Sequence, residues 1–297
     1  MTPPSWLWIV FTLIGASAQS LRNAAQKSLT GRLGTVGATH IRFLYGLPFG
    51  LIALAIVFAV EGELPVPNFA SFAWTSFGAI SQIAATGLML AAMRERSFVV
   101  TTVYTKTEPV QVALFVVIFL GEHVTPMLAA AVLIATAGVL VMSWPSRLGG
   151  EVFSWRPALL GIASGGLFAL AAVAFRGGIT ALDTSFISAA TTTLALALTI
   201  QTVALSAWLC LREPDVMANV LAAWKPSLAA GFLGSFASEM WFLAFALQTP
   251  ARVRTLGLVE ILVAGIISRR LFAQAPGLRD IVGMALVVVG IGLLPNG

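Results

Sequence analysis

The sequence predicts an all-α polytopic membrane protein, with ten transmembrane helices arranged as two inverted five-helix repeats. Three observations carry this reading. Of 297 residues, 58% are hydrophobic and only 10% are charged, against about 25% charged in an ordinary soluble domain. Charge-free runs at Leu64–Met93, Val124–Ser146 and Thr184–Leu211 each exceed the roughly 20 residues that cross a bilayer as a helix. Finally, a shift of 152 residues lays the first five apolar segments on the second five, with Glu108 on Glu260, Glu61 on Glu213 and Gly138 on Gly290. Five is odd, so the second copy enters the membrane from the opposite side, as in secondary transporters with a midplane site between halves.

The ten spans fall near 5–27, 36–60, 68–93, 97–120, 125–144, 157–178, 184–211, 222–247, 251–270 and 277–295. The first begins at Trp6 with no Lys or Arg before it, which marks a span rather than a cleavable signal peptide. Lys27 and Arg32 separate it from the second. The acidic EGELPVPN at 61–68 precedes the third, and Arg94 and Arg96 precede the fourth. The fourth ends at Gly121-Glu122, and the fifth follows directly. SRLGGEVFSWRP at 146–157 divides the chain, giving a first repeat over 1–145, a connecting loop over 146–156 and a second repeat over 157–297. Arg176 marks the end of the sixth span, Arg212 and Lys225 flank the turn after the seventh, and Arg252 and Arg254 follow the eighth. Arg269, Arg270 and Arg279 close the ninth. Most Lys and Arg thus sit in odd-numbered connections, which places those connections in the cytoplasm and both termini outside. The runs are too long and too apolar on every face for barrel strands.

The residues that bear chemistry are the polar ones inside spans. Glu108 and Glu260 lie near the centres of the fourth and ninth. A carboxylate at that depth costs several kcal/mol and should face protein or a water-filled cavity. Binding of a substrate ammonium group, uptake of protons, and a neutralised pair with Lys106, Arg42 or Arg254 all fit. Pro109 lacks a backbone donor and is expected to kink the fourth helix beside the cavity. Tyr104 stands one turn before Glu108. Gln19 and Gln82 suit a cavity lining or an interhelical hydrogen bond equally. Glu239 is a third intramembrane carboxylate, with Trp241 beside it as cavity aromatic or lipid contact. Arg22 and Arg42 have stems long enough to reach an interface. Gly46–Gly50 and Gly161–Gly165 are small-xxx-small spacings that suit helix packing. His40 and His123 stand alone, so neither a metal nor any other cofactor is expected, and no phosphate-binding glycine loop points to ATP. Basic residues scattered singly between apolar runs do not suggest nucleic acid. Cys210 is the single cysteine.

The stretch from the third to the fifth span carries a resemblance. Ala92, Arg94 and Ser97, then Glu108-Pro109, Gly121-Glu122 and Gly138-Val139 resemble the small-residue turn, mid-span EP, terminal GE and following glycine of the EamA-type permeases, in the drug/metabolite transporter superfamily. Arg42-Phe43 is similar to that family's RF, and ALQTPARVRTLGLVE at 246–260 to its corresponding second-half segment. Ile261 and Ala273-Gln274 depart from it, where the family often has Pro and GE. The resemblance implies a secondary transporter in a plasma membrane, a bacterial inner membrane, with a small-molecule substrate, the lipid bilayer and protons as its partners. It implies export of amino acids, related metabolites or drugs by alternating access. The competing class is a membrane-embedded enzyme that modifies lipids or small molecules, which calls for clustered acids or histidines at one membrane face.

Overall fold

The computed structural model describes residues 3–95, 104–143, 155–259 and 278–294. The start of the expected fourth span, residues 146–154 of the expected loop, Glu260 and most of the expected ninth span lie outside the described residues.

The described residues are helical, with no strand among them. Helix α1, Leu7–Leu44, breaks at Gly34, whose backbone (φ 68, ψ −178) is one that only glycine adopts without strain. The first two expected spans therefore meet in a tight hairpin, and the first runs on to Leu33 rather than ending near 27. Gln26 Nε2 donates to Ala38 O (2.9 Å) across the break. After a turn at Tyr45–Gly46 comes α2, Leu47–Glu61, ended by Gly62 in the left-handed region. Helix α3, Phe69–Glu95, starts where Asn68 Oδ1 accepts from the Ser71 amide (2.8 Å).

Helix α4, Glu108–Phe115, continues as a π-helical turn, Val116–Leu120, and stops at Gly121 (φ 63). Helix α5, Pro126–Ser143, opens on a Thr125 cap, with the Leu128 amide donating to its hydroxyl (3.1 Å). The second half supplies α6, Trp155–Thr180, and α7, Phe186–Arg212, the latter capped by Ser185. Helix α8, Pro214–Ala222, was not expected. It lays Val216 and Val220 against Gly37 of α1, so this connection is a short surface helix rather than a bare loop. Helix α9, Trp224–Leu247, α10, Pro250–Leu256, and α11, Leu278–Leu293, complete the described chain.

Five helical stretches are long and apolar enough to cross a membrane: Leu7–Glu61, Phe69–Glu95, Trp155–Thr180, Phe186–Arg212 and Trp224–Leu247. Three shorter apolar helices accompany them, Glu108–Leu120, Pro126–Val141 and Ile281–Leu293. Large apolar side chains such as Ile52, Phe72, Ile80, Val203 and Val288 point outward. Interior positions are rich in alanine and glycine, which suits helices that pack by close backbone approach in lipid.

The closest pairings are α3 with α6, α1 with α9, and α5 with α11. The last is reciprocal. A Cβ on Gly138 would stand 2.6 Å from Gly283 O and 2.7 Å from Val287 N; one on Gly290 would stand 2.8 Å from Ala131 O and 2.6 Å from Ala135 N. Both faces of the bundle are tied by polar contacts. At one, Ser185 and Ser188 donate to the Glu61 carboxylate (2.8 and 2.7 Å) and Asn68 donates to Ala181 O (2.7 Å). There too, Arg176 donates to Phe245 O and Ala246 O and lies 3.6 Å from Glu122. At the other, Arg156 meets Glu95 at 3.4 Å.

Candidate functional site

Two interrupted helices build the site. Residues Tyr104 and Thr105 are helical, the chain turns at Lys106 and Thr107, and helix resumes at Glu108. Pro109 sits in the first turn of α4, where a missing N–H has no partner to lose. It therefore starts a helix rather than kinking a continuous one, a correction to the sequence expectation. Helix α10 similarly ends at a turn, Gly257–Leu258. Irregular backbone at membrane depth must be enclosed by protein. Gly165 of α6 provides part of that enclosure, since a Cβ there would stand 3.0 Å from Thr105 O and 3.5 Å from Glu108 N.

The two interruptions bring opposite charges together. Arg254 Nε lies 3.1 Å from Glu108 Oε1, and both side chains are almost wholly buried. Glu108 is in the first turn of its helix and Arg254 in the last turn of its own. Each charge complements the dipole of the helix that carries it. The Arg254 guanidinium also stacks over Trp241, 4.3 Å from the ring centre, and stands 5.3 Å from that of Phe245. Desolvated contacts of this kind contribute about 2 kcal/mol.

More positive charge surrounds this pair. Arg42 is buried, and its guanidinium donates to Thr86 Oγ1 (3.1 Å) and Ser238 Oγ (3.5 Å). Arg22 is buried, and bonds Asn23 Oδ1 through Nε and Nη2. Its Nη1 makes no hydrogen bond among the described residues. The stems of Arg22 and Arg42 converge on Gly234, where a Cβ would be 3.5 Å and 3.0 Å from them. Arg22, Arg42, Lys106 and Arg254 lie within electrostatic reach of one another or of Glu108.

Two small cavities flank the ion pair. The first is bounded by Gln19, Lys106, Glu108, Pro109, Trp241 and Arg254, and by the Gly257–Leu258 turn. The second is bounded by Gln19, Arg42, Gln82, Ser238, Arg254 and an aromatic wall of Phe168, Phe175, Trp241, Phe242 and Phe245. Each leaves about 10 Å³ for the centre of a water-sized sphere, room for about one water molecule. Gln19, Trp241 and Arg254 border both and form the partition between them.

The sequence-predicted residues divide accordingly. Glu108, Pro109, Lys106, Gln19, Gln82 and Trp241 come together at the cavities; Gln82 also accepts from Gln201 Nε2 (2.9 Å). Tyr104 borders neither cavity and fills the space over Gly161 of α6, where a Cβ would stand 2.5 Å from its own. Glu239 also borders neither, and accepts from Thr191 of α7 (2.6 Å). Glu260 lies outside the described residues, two positions beyond Leu258. Arg22 and Arg42, expected to reach an interface, instead turn inward, because α9 offers Gly234 and hydroxyl partners where a membrane surface would have offered water. Sequence reasoning took both for residues able to reach an interface, weighed Arg42 also as a counter-charge for Glu108, and passed over Phe245. The one available signal was a pair of arginines inside otherwise apolar segments.

No curated protein matches the chain. Among solved structures, one described only as "Crystal structure of protein" superposes with a TM-score of 0.69 over 96% of this chain and 95% of its own, at 20% identity. That likeness shows a shared fold. The model of the EamA-like transporter family matches residues 6–144, which hold α1 to α5, the Glu108-Pro109 turn and the arginines at 22 and 42. That match covers just under half of the chain, and the matched family lies within the drug/metabolite transporter superfamily.

Proposed function

We propose that this protein is a secondary transporter that exports a small organic solute by alternating access, with Glu108 and Arg254 at the centre of the solute path. The observation that carries this is the buried ion pair between two interrupted helices, beside cavities lined by polar and aromatic side chains. A buried charge pair contributes little net stability compared with apolar packing of the same volume. Its presence at membrane depth marks a pathway.

The inverted repeat belongs to the same proposal. A shift of 152 residues carries Gly138 onto Gly290 and the Lys106–Thr107 turn onto 258–259, beside the turn that ends α10. It also exchanges the α3–α6 pairing with the α9–α1 pairing. These correspondences support two halves related by a two-fold axis in the membrane plane. The cavities are too small for an organic solute, so rocking of the halves has to widen them. Proton coupling belongs to the same proposal: Glu108 is the group that holds or releases Arg254 for the solute, and its removal should abolish a response to pH.

Reconstitution of the purified protein into liposomes tests this. The expected result is counterflow of a labelled solute from a panel of metabolites and dyes, responsive to an imposed pH gradient. Glu108→Gln is expected to retain counterflow and lose the response to pH. Absence of any protein-dependent flux across the panel overturns the transporter reading. An unchanged pH response in Glu108→Gln overturns the coupling.

A further inference from the structure

The charge at the site is unbalanced. Three guanidinium groups, Arg22, Arg42 and Arg254, are set against one described carboxylate, Glu108. Counting Glu260 in full as a second acid leaves the cations ahead. Glu239 does not redress the balance, because it borders neither cavity and is engaged with Thr191. A charge buried without a counter-charge is costly, and buried guanidinium groups are ordinarily paired with carboxylate or phosphate. Here the Arg42 guanidinium donates to the hydroxyls of Thr86 and Ser238 and lies over the Phe43 ring (5.1 Å), with no carboxylate partner among the described residues, and Arg22 leaves Nη1 without a hydrogen bond. Arg42 borders the second cavity, whose wall is aromatic.

We propose that the solute bound here is a small organic anion, a carboxylate on a flat apolar or aromatic body, rather than a cation or a zwitterion. Its carboxylate takes the planar fork of Arg42 and competes with Glu108 for Arg254; its body lies against Trp241, Phe175 and Phe245. Glu108 is then an internal stand-in for the solute's own negative group. Guanidinium suits this role because it offers parallel donors to a carboxylate and is the less strongly hydrated cation. The inference rests on the transporter reading in taking the enclosed cluster for the solute site.

A matched set of probes separates the charge types on one frame: 3-phenylpropionate as anion, phenylalanine as zwitterion and 3-phenylpropylamine as cation. Labelled-ligand binding to the full-length protein in detergent is expected to rank the anion first, by about tenfold or more, the worth of one charge-assisted hydrogen bond. Inorganic phosphate, which lacks a body, is expected not to displace it. Arg42→Gln is expected to weaken anion binding about tenfold and Arg42→Lys to restore part of it. Stronger binding of the amine or of phenylalanine overturns the proposal, as does no binding of the anion. Displacement by phosphate as effective as by the unlabelled anion removes the aromatic part. If Arg42→Gln does not fold, the probe ranking on the unaltered protein decides alone. Counterflow of the same labelled probes separates this inference from the one beneath it. Anion binding without flux of any solute sinks the transporter reading and leaves the anion site. Flux of the amine or zwitterion without anion binding does the reverse.

Discussion

Arg254 reaches Glu108 at 3.1 Å, from the closing turn of one short helix to the opening turn of another. Neither helix crosses the membrane alone, and the contact joins the two places where the backbone is irregular. The pair is therefore a structural clasp as well as a chemical group, and the two roles can be separated by experiment.

Removing Glu108 alone should cost more than removing both partners. Glu108→Gln leaves the buried Arg254 without its counter-charge, at a cost of about 3–5 kcal/mol, whereas Arg254→Gln leaves Glu108 within reach of Lys106 and Arg22 and should cost less. The double variant Glu108→Gln/Arg254→Gln is expected to be more stable than the sum of the singles. A double-mutant cycle on thermal or denaturant unfolding in detergent measures the coupling. Additive losses would show that the two side chains do not act as a pair.

The α5–α11 contact makes a steric prediction. Gly138→Ala puts a methyl group 2.6 Å from Gly283 O and 2.7 Å from Val287 N, backbone atoms that have little room to retreat. Overpacking of this kind costs about 1–3 kcal/mol. Gly290→Ala should cost a similar amount, since its Cβ meets Ala135 N at 2.6 Å. Gly292→Ala, with nothing within 4 Å, is the control on the same helix. Melting temperatures that fall for the first two variants and hold for the third are the expected result.

Two glycines near the α1 hairpin should behave in opposite ways. Gly31 and Gly34 both have nothing within 4 Å of an added Cβ. Gly31 is helical, so Gly31→Ala should stabilise by about 0.5–1 kcal/mol through helix propensity. Gly34 has φ 68 and ψ −178, so Gly34→Ala should destabilise by about 1–3 kcal/mol through backbone strain alone. Melting curves for the two variants, side by side, check this.

Arg176 makes a prediction about access. It donates to Phe245 O and Ala246 O and faces Glu122, tying α6 to the end of α9 and to the turn before α5. Arg176→Ala should cost about 2 kcal/mol, the worth of hydrogen bonds from a charged donor, and loosen this face. In a Cys210→Ala background, a reporter cysteine at Leu247 should react faster with a water-soluble maleimide once Arg176 is removed. Equal labelling rates with and without Arg176 would show that it does not close this face.

How much was legible in the sequence depended on which force decided each feature. Hydropathy marks where the chain enters and leaves lipid, so α3, α6, α7 and α9 fall close to their expected positions. Gly138 and Gly290 were visible as a coincidence at a fixed shift, and the structure sets each against the other's helix. The orientation of a cation inside an apolar segment is decided by its neighbours, which hydropathy does not contain. That is why Arg22 and Arg42 were read as interfacial when both are buried. Pro109 was read as a kink because the sequence does not say where a helix starts; the turn at Lys106–Thr107 does. Tyr104 went to packing because Gly161 leaves a notch for it. Helix α8 is too short to announce itself by periodicity.

The interrupted backbone at 104–108 bears on how the protein is made. Those peptide groups find their enclosure against Gly165, which the ribosome has yet to produce when the segment emerges. The first half therefore cannot complete its own core during synthesis. Its fourth segment has to wait at the translocon or the bilayer edge until α6 arrives. A chain truncated after residue 145 would keep its hydrophobic segments yet lack the partner that shelters this turn.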